Sequence, residues 1–380
     1  MKRNTEKLFV ILFVGTLFLF SSLFFLLPHQ PFSELENRYL QRLPKLTLDN
    51  VLTSNFTEQA ESYVTDHFPF RNIWLSVKSV GEQARLQQEN NGIYKGQDEY
   101  LFEKFIQPDY ERLQGYIEAV NLFAKNHPSM DMTLMLAPTS VGLYPERLPW
   151  LAPSYPQEKV NDFVGNHLAQ RVTYLDGFDF LRPHASESIY YRTDHHWTTY
   201  GAYVAYVAYA EEKGWMPLSQ HDFYIQQVSH TFLGSYHTRS QFHGLTPDTI
   251  DMYRPQKQAA TEIFIADSNE TLTTMYDESF LKKKDQYAYF LGGVHALMTL
   301  TTDLDVGQIE QDKLLIIKDS YAHNVIPFLT NHIPEIHVID IRYYNGSIAE
   351  YMADNGLEDV LYIFNTATFV EEASLLKLNN

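Results

Sequence analysis

The run Tyr191-Arg192-Thr193-Asp194-His195-His196-Trp197 sets a carboxylate beside two imidazoles just ahead of a helical pattern. Two chemistries are open to such a group. A carboxylate two residues before a histidine can bond the imidazole Nδ1–H and leave Nε2 to take a proton from a hydroxyl. Alternatively, Asp194, His195 and His196 are ligands of a metal, whose remaining ligands would come from Asp66-His67 or from His230, His237 and His243.

Proton transfer needs a nucleophile, and Leu314-Leu315-Ile316-Ile317-Lys318-Asp319-Ser320-Tyr321-Ala322-His323 offers one. An apolar strand ends at Lys318, and Ser320 stands in the turn into the next helix, near the free N–H groups of a helix start. Open α/β sheets bind their ligands there, beyond the carboxyl ends of the strands. The plainer reading of Ser320 is a helix cap and nothing more. Asp-x-His is likewise a weak signal alone, and gains weight only beside a serine at a strand end.

The elements that must position these residues follow from apolar spacing. Residues 132–137, 313–318, 336–341 and 359–365 read as buried strands, and 109–126, 322–330 and 347–355 as helices. The alternation predicts an α/β domain with a parallel sheet flanked by helices. Residues 220–284 are rich in His, Ser, Thr, Tyr and Gln without a sustained period, and are expected to be an irregular insertion or lid over a binding cleft. Phe56 to Gln88 reads as two helices broken at Asp66-His67-Phe68-Pro69-Phe70-Arg71, where Asp66 and His67 cap and turn the chain.

Leu8 to Leu27 carries no charge, and at about 1.5 Å per residue it spans roughly the 30 Å of a bilayer's hydrocarbon. Lys2, Arg3 and Lys7 precede it, which keeps a tail of residues 1–7 in the cytoplasm and sends the rest outside. No small-x-small cleavage site follows Leu27, so residues 8–27 are expected to be an uncleaved anchor in a lipid bilayer. Residues 28–55 read as an extended stalk and 56–380 as the extracytoplasmic domain. The chain has 29 basic and 47 acidic residues, a net charge of −18, which argues against nucleic acid. It has no cysteine, which removes thiol catalysis, disulfides and cysteine-ligated zinc.

Five blocks, in order, resemble a known family. They are Glu34-Leu35-Glu36-Asn37-Arg38, Asp66 to Arg71, Ala137-Pro138 followed by Tyr144-Pro145, the tetrad Asp194-His195-His196-Trp197, and Lys318-Asp319-Ser320-Tyr321. The tetrad is the signature for which the bacterial DHHW proteins are named, and these resemble the SGNH-type O-acetyltransferases that acetylate alginate. The resemblance implies a permuted SGNH hydrolase-like (flavodoxin-like) fold and a triad of Ser320, His196 and Asp194. Ser320 is the nucleophile, His196 the base and Asp194 its orienting carboxylate. It also implies a polysaccharide acceptor and a multipass membrane-bound O-acyltransferase that supplies acetyl groups drawn indirectly from acetyl-CoA, with no cofactor or metal of the chain's own.

Val294 stands where that pattern calls for an asparagine donor, which leaves the N–H groups of Ser320 and Gly293 for an oxyanion. His195, Trp197, His323 and Arg342 are further candidates for substrate contact. An esterase with the same triad, a non-catalytic polysaccharide-binding scaffold and the metallohydrolase are the competing readings.

Overall fold

Strands rich in branched apolar side chains on both faces need cover on both faces, and a parallel sheet with crossover helices provides it. The computed structural model describes residues 2–33, 38–45 and 55–379, and the statements below concern those residues. The chain divides into two units, Met1–Gln87 with Gln241–Gly244, and Gln88–Ser240 with Leu245–Asn380.

The second unit holds α4 (Tyr110–Asn126), α5 (Gln157–His167), α6 (Thr199–Glu212) and α7 (Ile348–Asn355). Besides a small three-stranded antiparallel sheet of Glu89–Asn90, Ile93–Lys95 and Leu101–Glu103, its strands are β1 (Asp131–Ala137), β2 (Val172–Asp176), β3 (Phe223–Phe232), β4 (Asp248–Pro255), β5 (Thr261–Ile265), β6 (Glu270–Leu272), β7 (Leu297–Thr302), β8 (Lys313–Lys318), β9 (Glu335–Asp340) and β10 (Asp359–Asn365). Eight of them form one sheet in the order β6-β5-β7-β9-β8-β10-β1-β2. From β9 to β2 the pairing is parallel, while β7, β5 and β6 add on antiparallel at the β9 edge. The expected parallel sheet is therefore five of the eight strands of a mixed one.

Right-handed crossovers decide which face each connection covers. The step from β8 to β9 runs toward one edge, whereas β9 to β10 and β1 to β2 run toward the other. The short helix Ile326–Leu329, which packs on α6, thus lies on one face, and α7 and α5 lie on the opposite face. Ser320 follows β8 and Asn365 ends β10, so both stand where neighbouring strands send their connections to opposite sides of the sheet. That switch point is where such sheets leave an open crevice. The helix expected over 322–330 is a 3₁₀ turn, Ser320–Asn324, followed by that single helical turn, because Pro327 removes a backbone donor.

Residues 220–284 are not irregular. β3 and β4 make a two-stranded antiparallel ribbon, and β5 and β6 belong to the main sheet. Two register shifts, between Gln227 and Ser229 and between Ser229 and Phe232, break the alternation of side chains along β3 and hide its period of two.

The first unit contains α1 (Lys2–Leu26), α2 (Asn55–Asp66) and α3 (Arg71–Ala84). Helices α2 and α3 thus belong with the apolar amino-terminal helix rather than with the α/β unit, contrary to a single domain from residue 56. The described part of the stalk is folded back: Asp66 accepts from the Arg38 guanidinium at 2.5 and 3.0 Å and from the Gln41 N–H at 2.8 Å. Glu34–Asn37 and residues 46–54 lie outside the described residues.

At the end of the parallel strands, register sets Lys318 beside Asp340, and Nζ meets Oδ2 at 2.8 Å with both side chains fully buried. Arg342 closes on the same carboxylate from the solvent side at 2.6 Å. Asp340→Ala would leave Lys318 as an uncompensated buried charge, and is expected to cost about 3–5 kcal/mol, read as a lower denaturant midpoint at unchanged slope.

Candidate active site

Residues 190–197 form a tight loop closed by an antiparallel bridge between Tyr190 and Trp197. The loop is pinned from behind by Asp248 at the start of β4, whose carboxylate accepts from the N–H groups of Arg192 and Thr193 and from the Thr193 hydroxyl, at 2.7–3.1 Å. Asp194 is buried and accepts from the His196 N–H at 2.9 Å, from His196 Nδ1 at 2.6 Å and from the Ser235 N–H at 2.6 Å. A carboxylate only accepts, so Nδ1 carries the proton and Nε2 the lone pair. The Ser320 hydroxyl lies 2.7 Å from that Nε2 and donates to it.

Electrostatics agree with this proton placement. Burial pushes the Asp194 carboxyl up, but the two adjacent imidazoles hold it well below the ordinary carboxylate range. Burial, reinforced by the neighbouring His195, pushes the His196 imidazole down from its usual value, so it is neutral at pH 7. His196 is therefore ready to accept a proton.

Ser320 is held separately. Asp319 caps its 3₁₀ turn by accepting from Tyr321 N–H at 2.8 Å, and its other oxygen takes the backbone and side-chain N–H of Asn365 at 2.8 and 2.7 Å. Among the described residues no acceptor takes the Ser320 N–H, which leads its turn. Tyr287 lies flat on the His196 ring, centroids 3.6 Å apart and planes 8° apart. Its hydroxyl donates to the Ser320 carbonyl at 3.2 Å and to Asn324 Oδ1 at 3.1 Å. No local pattern in Gln286-Tyr287-Ala288-Tyr289 marks this residue, nor Ser235 or Asp248; they come from segments 40 to 90 residues away in the chain.

The other expected contacts divide. His195 packs its ring on His196 at 3.6 Å, shares a 2.6 Å hydrogen bond with Ser235 Oγ, and turns its remaining edge to a cavity of about 640 Å³. Thr139, Tyr236, Arg342, Asn365 and Thr368 also line that cavity, beyond the ends of β1, β9 and β10. Ser320 and His196 are not in its wall; His195 links the wall to the relay. Trp197 is not a sugar platform. It is fully buried, with its indole N–H given to the Tyr321 carbonyl and to Asn324 Oδ1. His323 is also not a cleft residue: it is buried, its Nε2 2.8 Å from Lys318 Nζ. The Gly293 N–H faces the Phe290 carbonyl at 3.3 Å and Val294 is exposed, so this turn offers no free backbone donor at Gly293. Both hydrogens of the Asn365 amide are committed as well, to Asp319 and Thr368.

Asp194, His195 and His196 bring one carboxylate oxygen and two ring nitrogens within 4.8 Å of one another, near enough for a shared ion. Both nitrogens of His196 are already matched to Asp194 and Ser320, however, and His237 meets Lys284 Nζ at 3.1 Å instead of joining the group. The donor set fits a proton relay better than a metal.

A mixed sheet with helices on both faces and a Ser–His–Asp hydrogen-bonded chain at its switch point defines an SGNH hydrolase-like unit. The DHHW protein family matches residues 135–339, just over half of the sequence, and the chain belongs to that family. It is 25% identical over 165 residues to a probable alginate O-acetylase AlgJ of Pseudomonas fluorescens, a match that covers 41% of this chain and 42% of that protein. The chain thus spans less than half the length of that relative. A DHHW family protein from Eubacterium siraeum superposes with a TM-score of 0.67 at 25% identity, covering 77% of this chain and 96% of that one. Bacillus cereus PatB1, solved with a sulfonyl adduct, gives 0.65 at 15% identity over 76% and 98%, a likeness of fold.

Gly234 is the residue on which the Asp194 geometry turns, because a Cβ there would lie 2.3 Å from both Asp194 Cβ and Oδ2. Gly234→Ala is expected to keep the fold, read by near-ultraviolet circular dichroism. It should slow p-nitrophenyl acetate turnover about 100-fold, the typical cost of an ångström's misplacement.

Proposed function

We propose that this chain is a membrane-anchored, extracytoplasmic O-acetyltransferase that moves acetyl groups onto a secreted or cell-wall polysaccharide through an acetyl-serine intermediate. The observation that carries the reading is the unbroken hydrogen-bonded path Asp194–His196–Ser320 in a DHHW chain, with a neutral imidazole at its centre. The alginate O-acetylase name of its relative supports the acetyl group and the polysaccharide acceptor. The helix Thr5–Leu26, long and apolar enough to cross a bilayer, supports the anchor.

In the first half-reaction His196 Nε2 takes the Ser320 proton while Oγ attacks the acetyl carbonyl. The Ser320 N–H stabilises the oxyanion, and collapse expels the donor's leaving group, which receives the proton from His196. In the second half-reaction His196 deprotonates a sugar hydroxyl, which attacks the acetyl-serine, and the proton returns to Ser320 Oγ as the ester breaks. Asp194 stays ionised throughout and stabilises the imidazolium. Acetyl-CoA is cytoplasmic, so a multipass membrane-bound O-acyltransferase would bring the acetyl group across, and the anchor would hold this chain beside it.

With water as acceptor the same relay is an esterase. Full-length protein and its Ser320→Ala variant, incubated with p-nitrophenyl acetate, separate the readings. The transferase reading expects a covalent gain of one acetyl mass that is absent in Ser320→Ala, and acceleration of its loss by an oligosaccharide with ester appearing on the sugar. Loss to free acetate alone, at a rate indifferent to sugar, makes the chain an esterase. Turnover that survives Ser320→Ala and dies with chelator makes it a metalloenzyme, and a chain with neither adduct nor turnover that still binds sugar is a scaffold.

The pH profile follows from the imidazole. His196 must be neutral to act and its affinity for protons is lowered, so kcat/KM is expected to fall on the acid side with a midpoint below the ordinary histidine value of about 6.5.

A further inference from the structure

Helix α3 leaves an apolar stripe uncovered. Ile73, Val77 and Val80 fall on one face at helical spacing with Trp74 beside them, and all four are 47–59% exposed. Its opposite side packs inward through Ser79, which is buried and donates to the Gln241 carbonyl at 2.6 Å. Lys78 and Arg85 border the stripe, and Glu82 is the only acid of the helix, although the chain carries a net charge of −18.

The place of this helix relative to α1 gives the stripe a meaning. The turn between α2 and α3 packs on the last turns of α1: Phe68 stacks on Phe20 with centroids 5.4 Å apart, and Trp74 lies 6.0 Å from the same ring. The exit of α1 is tied down next to it, since His29 bonds the Phe24 carbonyl at 2.8 Å and the Tyr63 hydroxyl. Accordingly Phe20, Leu23 and Phe24 are partly covered, whereas the preceding turns of α1 are bare. Phe20 lies six residues, about 9 Å of helix, before Leu26. A turn packed at that level sits within the 5–10 Å depth to which interfacial helices bury their apolar face.

We infer that α3 lies on the outer surface of the membrane, with Ile73, Val77 and Val80 in the boundary between headgroups and acyl chains, Trp74 at the headgroup level, and Lys78 and Arg85 toward anionic lipid. This rests on α1 being an anchor. The exit of α1 is thereby held against the bilayer by a second, broader contact, instead of leaving it through a free stalk. Interfacial helices carry tryptophan with their apolar face and lysine or arginine on the polar one, and long basic side chains reach from an apolar face to headgroup phosphates.

The absence of native cysteine makes the test direct. Full-length single-cysteine variants Ile73→Cys, Val77→Cys, Val80→Cys, Leu17→Cys and Val306→Cys are labelled with an environment-sensitive fluorophore. They are then placed in phosphatidylglycerol–phosphatidylethanolamine vesicles with or without bromine on the acyl chains. Leu17 reports the anchor, and Val306, an exposed residue of the α/β unit, reports water.

The expected result is that brominated lipid removes most of the emission at positions 17, 73, 77 and 80 and none at 306, and that neutral phosphatidylcholine weakens the effect at 73, 77 and 80 alone. Quenching at 17 without quenching at 73, 77 and 80 overturns the inference and leaves the anchor standing. No quenching at 17 removes the anchor reading and the inference with it. Protection of 73, 77 and 80 from a water-soluble quencher in native membranes but not in pure lipid assigns the stripe to a protein partner, and also overturns it.

Discussion

A buried carboxylate has to be met by donors on every side that water has left, and Asp194 is the point at which that demand shapes the α/β unit. Its donors come from its own loop, through the N–H and Nδ1 of His196, and from Ser235 forty residues on. Gly234 lacks the Cβ that would hold the second strand of backbone away. Asp248 repeats the device one layer behind, gathering the N–H groups of Arg192 and Thr193. Leaving either carboxylate without these partners would cost the desolvation of a buried charge. The three segments therefore come together or not at all, and the imidazole's tautomer and direction follow.

The serine is placed by a different carboxylate. Asp319, next to Ser320 in sequence, takes no part in the relay; it joins the end of β8 to the end of β10 through Asn365. Orientation of the base and placement of the nucleophile are thus built on different carboxylates, and they meet at the 2.7 Å contact between His196 and Ser320 and at the bonds from the Trp197 indole to Tyr321 and Asn324. Tyr287 spans them, with its ring on the imidazole and its hydroxyl on the Ser320 carbonyl. Beneath, Lys318 and Arg342 share the single carboxylate of Asp340, so each buried charge at the floor of the crevice has a partner.

Much of this was legible in the sequence wherever one residue type dominates a local pattern. Continuous apolar runs gave β1, β8, β9 and β10 to within a residue, because a strand covered on both faces has no polar side to confuse it, whereas the half-covered parallel edge strand β2 was not read. Asp194, His196 and Ser320 stood out as a pair with a partner. The misreadings share a cause. The bulges in β3 erase its alternation, so a ten-residue strand reads as loop. Trp197 and His323 have side chains suited to a cleft and are packed under it, since burial depends on what lies opposite and not on residue type. Gly234, Ser235, Asp248 and Tyr287 carry no local mark because their roles exist only across long separations in the chain.

The sequence by itself determined the chemical inventory: an apolar amino-terminal helix, no thiols, a hydroxyl at the end of a strand and a carboxylate with two imidazoles ahead of a helix. Local pattern suffices for these, since period, charge and residue type are properties of neighbours. The family resemblance names His196 and Asp194; the tertiary structure shows how they are held, turning His196 and not His195 toward the hydroxyl, giving Asp319 to the sheet, and extending that sheet antiparallel by three strands. Those choices turn on the direction of side chains and on the pairing of buried charge, and both are settled by segments that meet only when water is excluded between them.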